Sequence, residues 1–522
     1  METIRKNRTL LITLAILLAI FLLAIQGMST SDWVITLFRG VSVGTIMFLV
    51  ASGLSLIFGL LDVLNLAHGA LFMIGAYVGW TVYVRPDTLV DLLAPLLLLT
   101  AGLALRPVWN RLLGRLAAAQ GTGAGLVRAW PWAALIVALA ALILSFTRWP
   151  VAKWNPAVPA QSPGTNALAL NQATAANLPR PAPVPAERGS VLALAGFLAG
   201  GGLIAASLTG FAQQRHGVQR SALSWKSVVW PAVLLLAGVA LYLANDPVTT
   251  WLAGLHTTWI FLIAIVVAML SGAALGGLME VSLVRPLYAR PIYQLMLTMG
   301  VGVVGIELVR AMWGKVEFTM PKPAIFSGSG EGCPATSLSG WLANRCSTFS
   351  LLDGRLRTYN EIFVILIGLI VLVGVWILLR RSRLGMVIRA GVQDSQMVEA
   401  LGINVRQVFT LVFALGAALA ALGGVIAAPS MGLSPYMGQT LLLGALVALA
   451  IGGLTSFPGA AAASVLVGLL EAFMIKYGQI GIQLPFMDEP FKPTPPLVPA
   501  STVLLMVVIL LVMPNGLFGR KE

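Results

Sequence analysis

The sequence predicts an all-α fold, a polytopic transmembrane helical bundle of about 12–14 spanning or half-spanning helices, on three observations. Hydrophobic residues fill 58% of the 522 positions and charged residues 10%, with a mean hydropathy of +0.90, too little polar side chain to cover a soluble protein. The apolar runs are long and unbroken, whereas the strands of a membrane barrel alternate polar and apolar residues over short segments. The 54 glycines, spaced as in Gly272 and Gly276, suit helices that approach closely in lipid, where small residues let backbones touch.

Taken in order, the apolar runs and their breakers predict helices near 9–27, 34–59, 70–84, 88–105, 130–147, 190–211, 228–245, 259–280, 292–313, 361–380, 407–428, 440–454, 459–476 and 499–514. The first run follows Arg5, Lys6 and Arg8 in the manner of a signal peptide. No small-x-small cleavage site follows it, so it reads as an uncleaved first helix. With the N-terminus in the cytoplasm, strict alternation puts several basic groups inside: Arg106 to Arg128, Arg215 to Lys226, Arg285 and Arg290, Arg380 to Arg406, and the Arg520–Lys521 tail. More than half of the 33 basic residues then face the cytoplasm, while outside the basic and acidic residues nearly balance. The net charge of +14 therefore marks membrane orientation and not nucleic-acid binding. Both termini are expected inside.

Two stretches stand apart from the helices. Residues 149–188 are rich in Pro, Ala, Asn and Gln and carry almost no large apolar side chains, so they read as an external linker. Residues 315–360 mix Gly and Ser with Trp341, Cys333 and Cys346, as in a small ordered cap on the same side. The two cysteines are compatible with a disulfide in an oxidising compartment, two unpaired thiols being the other reading.

The segment Arg380 to Arg406 lies between two spans and is amphipathic. Val387, Ala390, Val398 and Leu401 are apolar, Arg389, Gln393, Asp394, Gln396 and Glu399 polar, and Gly402 stands where a helix would stop. Such a helix suits a partner's groove or, alternatively, lipid headgroups. Asn65 and His68, with Asp62, sit at the turn between the second and third spans and are expected to hold it by hydrogen bonds rather than touch a substrate. Glu307 and Arg310, one turn apart, are expected to pair. The turn holding Gly452, Gly453, Ser456, Pro458 and Gly459 resembles the Gly59–Gly69 turn in position, as in a two-fold pseudo-repeat. The sequence lacks a Gly-x-x-x-x-Gly-Lys-Ser/Thr loop, a catalytic elbow and His/Cys spacing for a metal, so the expectation is no enzyme, no catalytic residue, no metal and no cofactor.

At this point a resemblance becomes specific. Arg389, Ala390, Asp394, Leu401, Gly402, Ile403 and Asn404 are spaced as in the coupling loop of branched-chain amino acid ABC transporter permeases, which they resemble. Further blocks recur in family order: Gly53 to Gly69 with Ile74 to Tyr77, Arg285 to Pro291, Gly452 to Gly459, and Pro514 to Gly519. The resemblance implies a permease subunit of an importer in the cytoplasmic (inner) membrane. Two ATPase subunits that use ATP, a second homologous permease subunit and an external solute-binding protein would be its partners. It would carry branched-chain or related amino acids and contact lipid but no nucleic acid. Arg389, Ala390, Asp394, Glu399, Ala400, Gly402 and Ile403 would form the ATPase-coupling loop; Asn65, His68, Gly69, Gly453 and Pro458 would lie on the translocation path or its core turns. Met397 stands where the family usually has a small residue, and Gln393 where an acid is common, so partner affinity would differ.

Against that family the chain divides into residues 1–84, the N-terminal part of the permease core; 85–256, an insertion of about four extra spans that enters and leaves externally; and 257–522, the C-terminal part. The last contains the external loop 315–360 and the cytoplasmic coupling loop 381–406. A urea or short-chain amide permease shares the same blocks and is the alternative. An ion-coupled secondary transporter is disfavoured, since the acidic residues cluster at span ends and in loops.

Overall fold

A computed structural model describes residues 28–61, 63–119, 124–149, 190–216, 225–288, 290–315, 317, 319–393, 395–482 and 489–518. In chain order they form α1 (Thr30–Leu61), α2 (His68–Val84), α3 (Asp87–Ala104), α4 (Arg106–Ala119), α5 (Ala124–Thr147), α6 (Val191–His216), α7 (Lys226–Leu243), α8 (Asn245–Gly254) and α9 (Thr257–Met279). There follow α10 (Pro291–Trp313), α11 (Leu338–Asn344), β1 (Thr348–Leu351), β2 (Gly354–Arg357), α12 (Val364–Arg381), α13 (Arg383–Gln393), α14 (Ser395–Ala400), α15 (Val405–Met431), α16 (Met437–Gly452), α17 (Phe457–Ile480) and α18 (Leu497–Val512).

The fold is all-α and polytopic. Among the described residues nine helices are long and apolar enough to cross a membrane, ten if α7 and α8, bent by 70°, make one span. Helices α2, α16 and α18 are shorter and apolar. Every predicted run from 34–59 onward coincides with a helix, while 9–27 lies outside the described residues. Apolar runs do not announce α4 or α8, which are short and carry polar residues.

The described residues fall into two compact units, one holding those up to Trp80 and from Thr257 onward, the other those from Thr81 to His256. In the first, small residues set the packing. Gly272 and Gly276 of α9 lie against Ala417 and Ala421 of α15, with no room for larger side chains. Polar contacts sort the helix ends of this unit into two sets. At one end, the Leu517 and Phe518 amides donate to the Ile451 and Gly452 carbonyls (2.8 and 3.2 Å), and the Leu66 amide to Thr298 Oγ1 (3.2 Å). At the other, Lys476 Nζ donates to Asp32 Oδ1 (2.6 Å), Ser31 Oγ to the Asp353 carbonyl (3.1 Å) and Tyr359 OH to the Ile426 carbonyl (2.9 Å). Alternating spans produce this sorting. Glu307 and Arg310 pair at 2.6 Å, and the guanidinium lies over the Tyr436 ring.

The loop after α10 is built around the antiparallel hairpin β1–β2 and α11, which Ser337 caps through the Gly340 amide. Cys333 and Cys346 are joined in a disulfide with their Cα atoms 5.5 Å apart, and Trp341 Nε1 donates to the Cys346 carbonyl at 3.0 Å.

In the second unit, α6 packs on α5 and α3, and α3 on α7. Trp149, 1% exposed, donates from Nε1 to the Asp91 carbonyl at 2.7 Å and stacks edge-on with Phe197. Asn245 Nδ2 donates to Asp91 Oδ1 at 2.7 Å. Helices α5 and α7 repeat each other: Trp130-Pro131 and Trp230-Pro231 occupy matching places, and the next nine positions alternate between buried and exposed in the same order. The buried position of this register is Ala138 in α5 and Gly238 in α7, each facing a neighbouring helix.

Candidate functional site

The segment between α12 and α15 is helical, as its sequence suggests, over α13 and α14, which flank Asp394, a residue outside those described. It is fastened at both ends. Ser382 Oγ accepts from the Gly385 amide (2.9 Å), and the Arg389 guanidinium folds back onto the Leu379 carbonyl. At the far end the Gly402 amide donates to the Glu399 carbonyl (2.9 Å) and the Ile403 amide to that of Val398 (3.3 Å), closing α14 as in a Schellman cap. That geometry needs Gly402 at φ +82°, a left-handed backbone that glycine adopts without strain. Asn404 then caps α15, its Oδ1 accepting from the Gln407 amide.

The buried stripe of this segment is Ile388, Val398 and Val405; Val387 and Ala390 are half-buried. Leu401, expected on the apolar face, is 72% exposed, next to the left-handed turn at Gly402. With Met386, Arg389, Met397, Glu399 and Ala400 it forms an exposed surface of mixed apolar and charged side chains. Ile403 is half-buried, and Asp394 lies outside the described residues.

Asn65 holds the turn before α2: its Oδ1 accepts from the Ala67 amide (3.0 Å) and its carbonyl from the His68 amide (3.2 Å). The fully buried His68 ring is not part of that turn's bonding. It fills the space over Gly53, where a β-carbon would lie 2.7 Å from Nε2. Nδ2 of Asn65 and Nε2 of Gln294, both buried, have no hydrogen-bond partner among the described residues. Asp62 is outside the described residues. Gly69 abuts Gly438 of α16, where a β-carbon would meet the Gly438 carbonyl at 2.5 Å. Gly453 ends α16, Ser456 caps α17 by accepting from the Gly459 amide, and Pro458 occupies the first turn, where its missing N–H costs nothing. Of the coupling-loop candidates, Arg389, Glu399, Ala400 and Gly402 are therefore exposed and Ala390 and Ile403 half-buried, whereas the turn candidates sit in separate helix contacts.

One cluster escaped the sequence reasoning. Glu280, fully buried at the end of α9 in a π-helical turn (Glu280–Val284), receives four hydrogen bonds. Arg285 donates from Nε to Oε1 (3.0 Å) and from a terminal nitrogen to Oε2 (2.7 Å), Tyr288 OH donates to Oε1 (2.8 Å), and Thr410 Oγ1 of α15 to Oε2 (2.8 Å). Burial, then the adjacent carboxylate, raises the pKa of the Tyr288 hydroxyl well above its ordinary value, so it stays a protonated donor. The signal in the sequence was a lone acid closing an apolar run five residues before an arginine. Among the described residues no group of three or more His, Cys, Asp or Glu side chains could hold a metal.

Comparison with known proteins places these features. Residues 36–181 and 192–513 match the family described as branched-chain amino acid transport system, permease component. The high-affinity branched-chain amino acid transport system permease protein LivH of Escherichia coli K12 is 27% identical over 272 residues, 52% of this chain and 78% of LivH. LivH of Salmonella typhimurium is 26% identical over the same shares. The corresponding permease protein BraD of Pseudomonas aeruginosa is 32% identical over 174 residues, 33% of this chain and 52% of BraD. No solved structure shows significant similarity.

Proposed function

Since the chain belongs to the branched-chain amino acid transport permease family, we propose that it is the membrane-spanning subunit of an ABC importer carrying branched-chain or related amino acids inward. Two ATPase subunits, a second permease subunit and an external solute-binding protein complete the machine in the inner membrane. The ATPases consume the ATP; this chain is a transporter subunit and not an enzyme. The exposed face of α13–α14, fixed between two spans and closed by Gly402, carries this reading. It offers Met386, Met397 and Leu401 around Arg389 and Glu399, the mixture a short helix uses to seat in a partner's groove. Asp394 and Ile403 belong to the same loop. Closure of the ATPases on nucleotide pushes this segment and rocks the spans between outward- and inward-open states.

That face and both termini lie in the cytoplasm. The disulfide-bonded cap and the 149–188 linker lie outside, in keeping with the excess of basic residues on the other side and with the compartments where disulfides persist. The core is 1–84 with 257–522, and 85–256 is an insertion whose even number of spans preserves orientation. Asn65, His68, Gly69, Gly453 and Pro458 shape the two cytoplasmic turns that bound the path. The LivH and BraD names favour branched-chain amino acids over urea or amides.

Uptake by proteoliposomes holding the complete complex tests this. ATP-dependent accumulation of labelled leucine, valine or isoleucine is expected. Accumulation of urea alone, or accumulation driven by an ion gradient without ATP, contradicts it.

A further inference from the structure

We propose that Glu280 is a positioning residue that transmits movement of the coupling segment to the α9–α10 pair, by clamping α15 to the corner between those two helices. The proposal rests on the coupling role given above to α13–α14.

The path is short and continuous. Gly402 and Ile403 lead directly into Asn404, the cap of α15, and Thr410 lies in the second turn of that helix. Thr410 Oγ1 shares its one proton between Glu280 Oε2 (2.8 Å) and the Arg406 carbonyl of its own helix (2.9 Å), and Arg285, which grips both carboxylate oxygens, also reaches Thr410 Oγ1 and the Arg406 carbonyl (3.4 Å). Any push on α14 therefore arrives at α15 where α15 is bonded to the end of α9 and the start of the corner that carries α10. Arg285 and Tyr288 belong to that corner, so the carboxylate joins three pieces of chain at one point.

Two features make the joint stiff. Both oxygens of the buried carboxylate accept two bonds each, so a displacement of Thr410 alone removes a donor from a buried oxygen, which costs free energy. Next to it Ile57, Val63, Ala67, Met279, Val284 and Phe413 form a buried apolar cluster, against which Tyr288 packs. The π-helical turn at Glu280–Val284 is the kind of local irregularity often found at functional positions.

Transmission is separable from holding the fold. Helices α9 and α15 also interlock along Gly272, Gly276, Ala417 and Ala421, starting one helical turn from the clamp, so their association has contacts besides Glu280. Loss of the clamp should leave the helices assembled but able to slip at their cytoplasmic ends.

The test uses the full chain co-expressed with its ATPases, second permease and binding protein, comparing Glu280→Gln, Thr410→Val and Thr410→Ser. The readouts are ATPase co-purification, ATP hydrolysis, labelled leucine uptake and the ATP consumed per leucine. The first two variants are expected to keep co-purification and hydrolysis while uptake falls about tenfold, so that ATP consumed per leucine rises; Thr410→Ser, which keeps the hydroxyl, restores coupling. The double variant should be no worse than either single one, because both cut the same link. Unchanged ATP per leucine in Thr410→Val overturns the proposal, as does loss of both variants from the membrane, which would make the clamp a structural staple. A wild-type chain that retains no ATPase overturns the coupling reading itself, and the two failures are told apart by that control.

Discussion

Gly468 of α17 meets Gly44 of α1 backbone to backbone: a β-carbon on Gly468 would fall on the Gly44 amide nitrogen and lie 2.5 Å from its Cα. Nothing in that contact can yield except the helices themselves. Gly468→Ala is expected to cost about 1–3 kcal/mol, as overpacking does, and Gly468→Leu to prevent the pair from forming. Thermal aggregation midpoints in detergent check this; a Gly468→Ala midpoint equal to the wild type contradicts it.

Asn245 ties the corner between α7 and α8 to Asp91 in the second unit. Removing the amide in Asn245→Ala leaves a buried carboxylate oxygen without its donor, and a loss of about 1–3 kcal/mol is expected. Asn245→Asp should be worse, since it sets a second carboxyl against the first. Detergent unfolding curves read both, and equal stability of all three proteins would show that Asp91 finds another partner.

The Cys333–Cys346 bridge closes a 13-residue separation, for which the loop-entropy estimate is about 3 kcal/mol. Cys333→Ser with Cys346→Ser should lower the melting temperature of the complex and loosen the cap around Trp341. A membrane-impermeant reductant followed by an impermeant maleimide should label the wild type in spheroplasts and leave the double variant unlabelled. Labelling from inverted vesicles alone would reverse the orientation.

Exposed and buried positions of α13–α14 should behave differently. Met397→Asp and Leu401→Asp change only the surface, so ATPase retention should fall while the amount of protein in the membrane holds. Val398→Asp, placed on a side chain 4% exposed, should lose both. The two classes behaving alike would deny that the outward face is a contact surface.

Much of the fold was legible in the sequence because a span is a local property: about 20 apolar residues between breakers are visible without knowing what they touch. The helix α1, its turn at Asn65 and the stop at Gly402 followed from residue type alone. What escaped depended on partners distant in sequence. Thr410 donates to Glu280 across 130 positions, and no local period marks either residue. His68 looked like a turn residue, yet its ring serves to fill the gap over Gly53, a helix away in the chain. Leu401 fits the apolar pattern but not an apolar setting, since it lies at the end of α14 beside the turn at Gly402, where the helical period no longer decides what a side chain meets. The likeness of α5 to α7 was readable, since Trp-Pro recurs ahead of similar runs, but it is evident only once burial is compared position by position.

The central claim is that α13–α14 is where the ATPases engage. Gly402→Glu tests it most directly, because φ +82° disfavours any side chain while no heavy atom lies within 4 Å to cause a clash, so the cap is altered and the core is spared. Co-purification of the ATPase subunits with this variant from solubilised membranes is the measurement. Normal insertion with ATPase retention and leucine uptake both lost is the predicted result; normal retention and uptake would contradict the account.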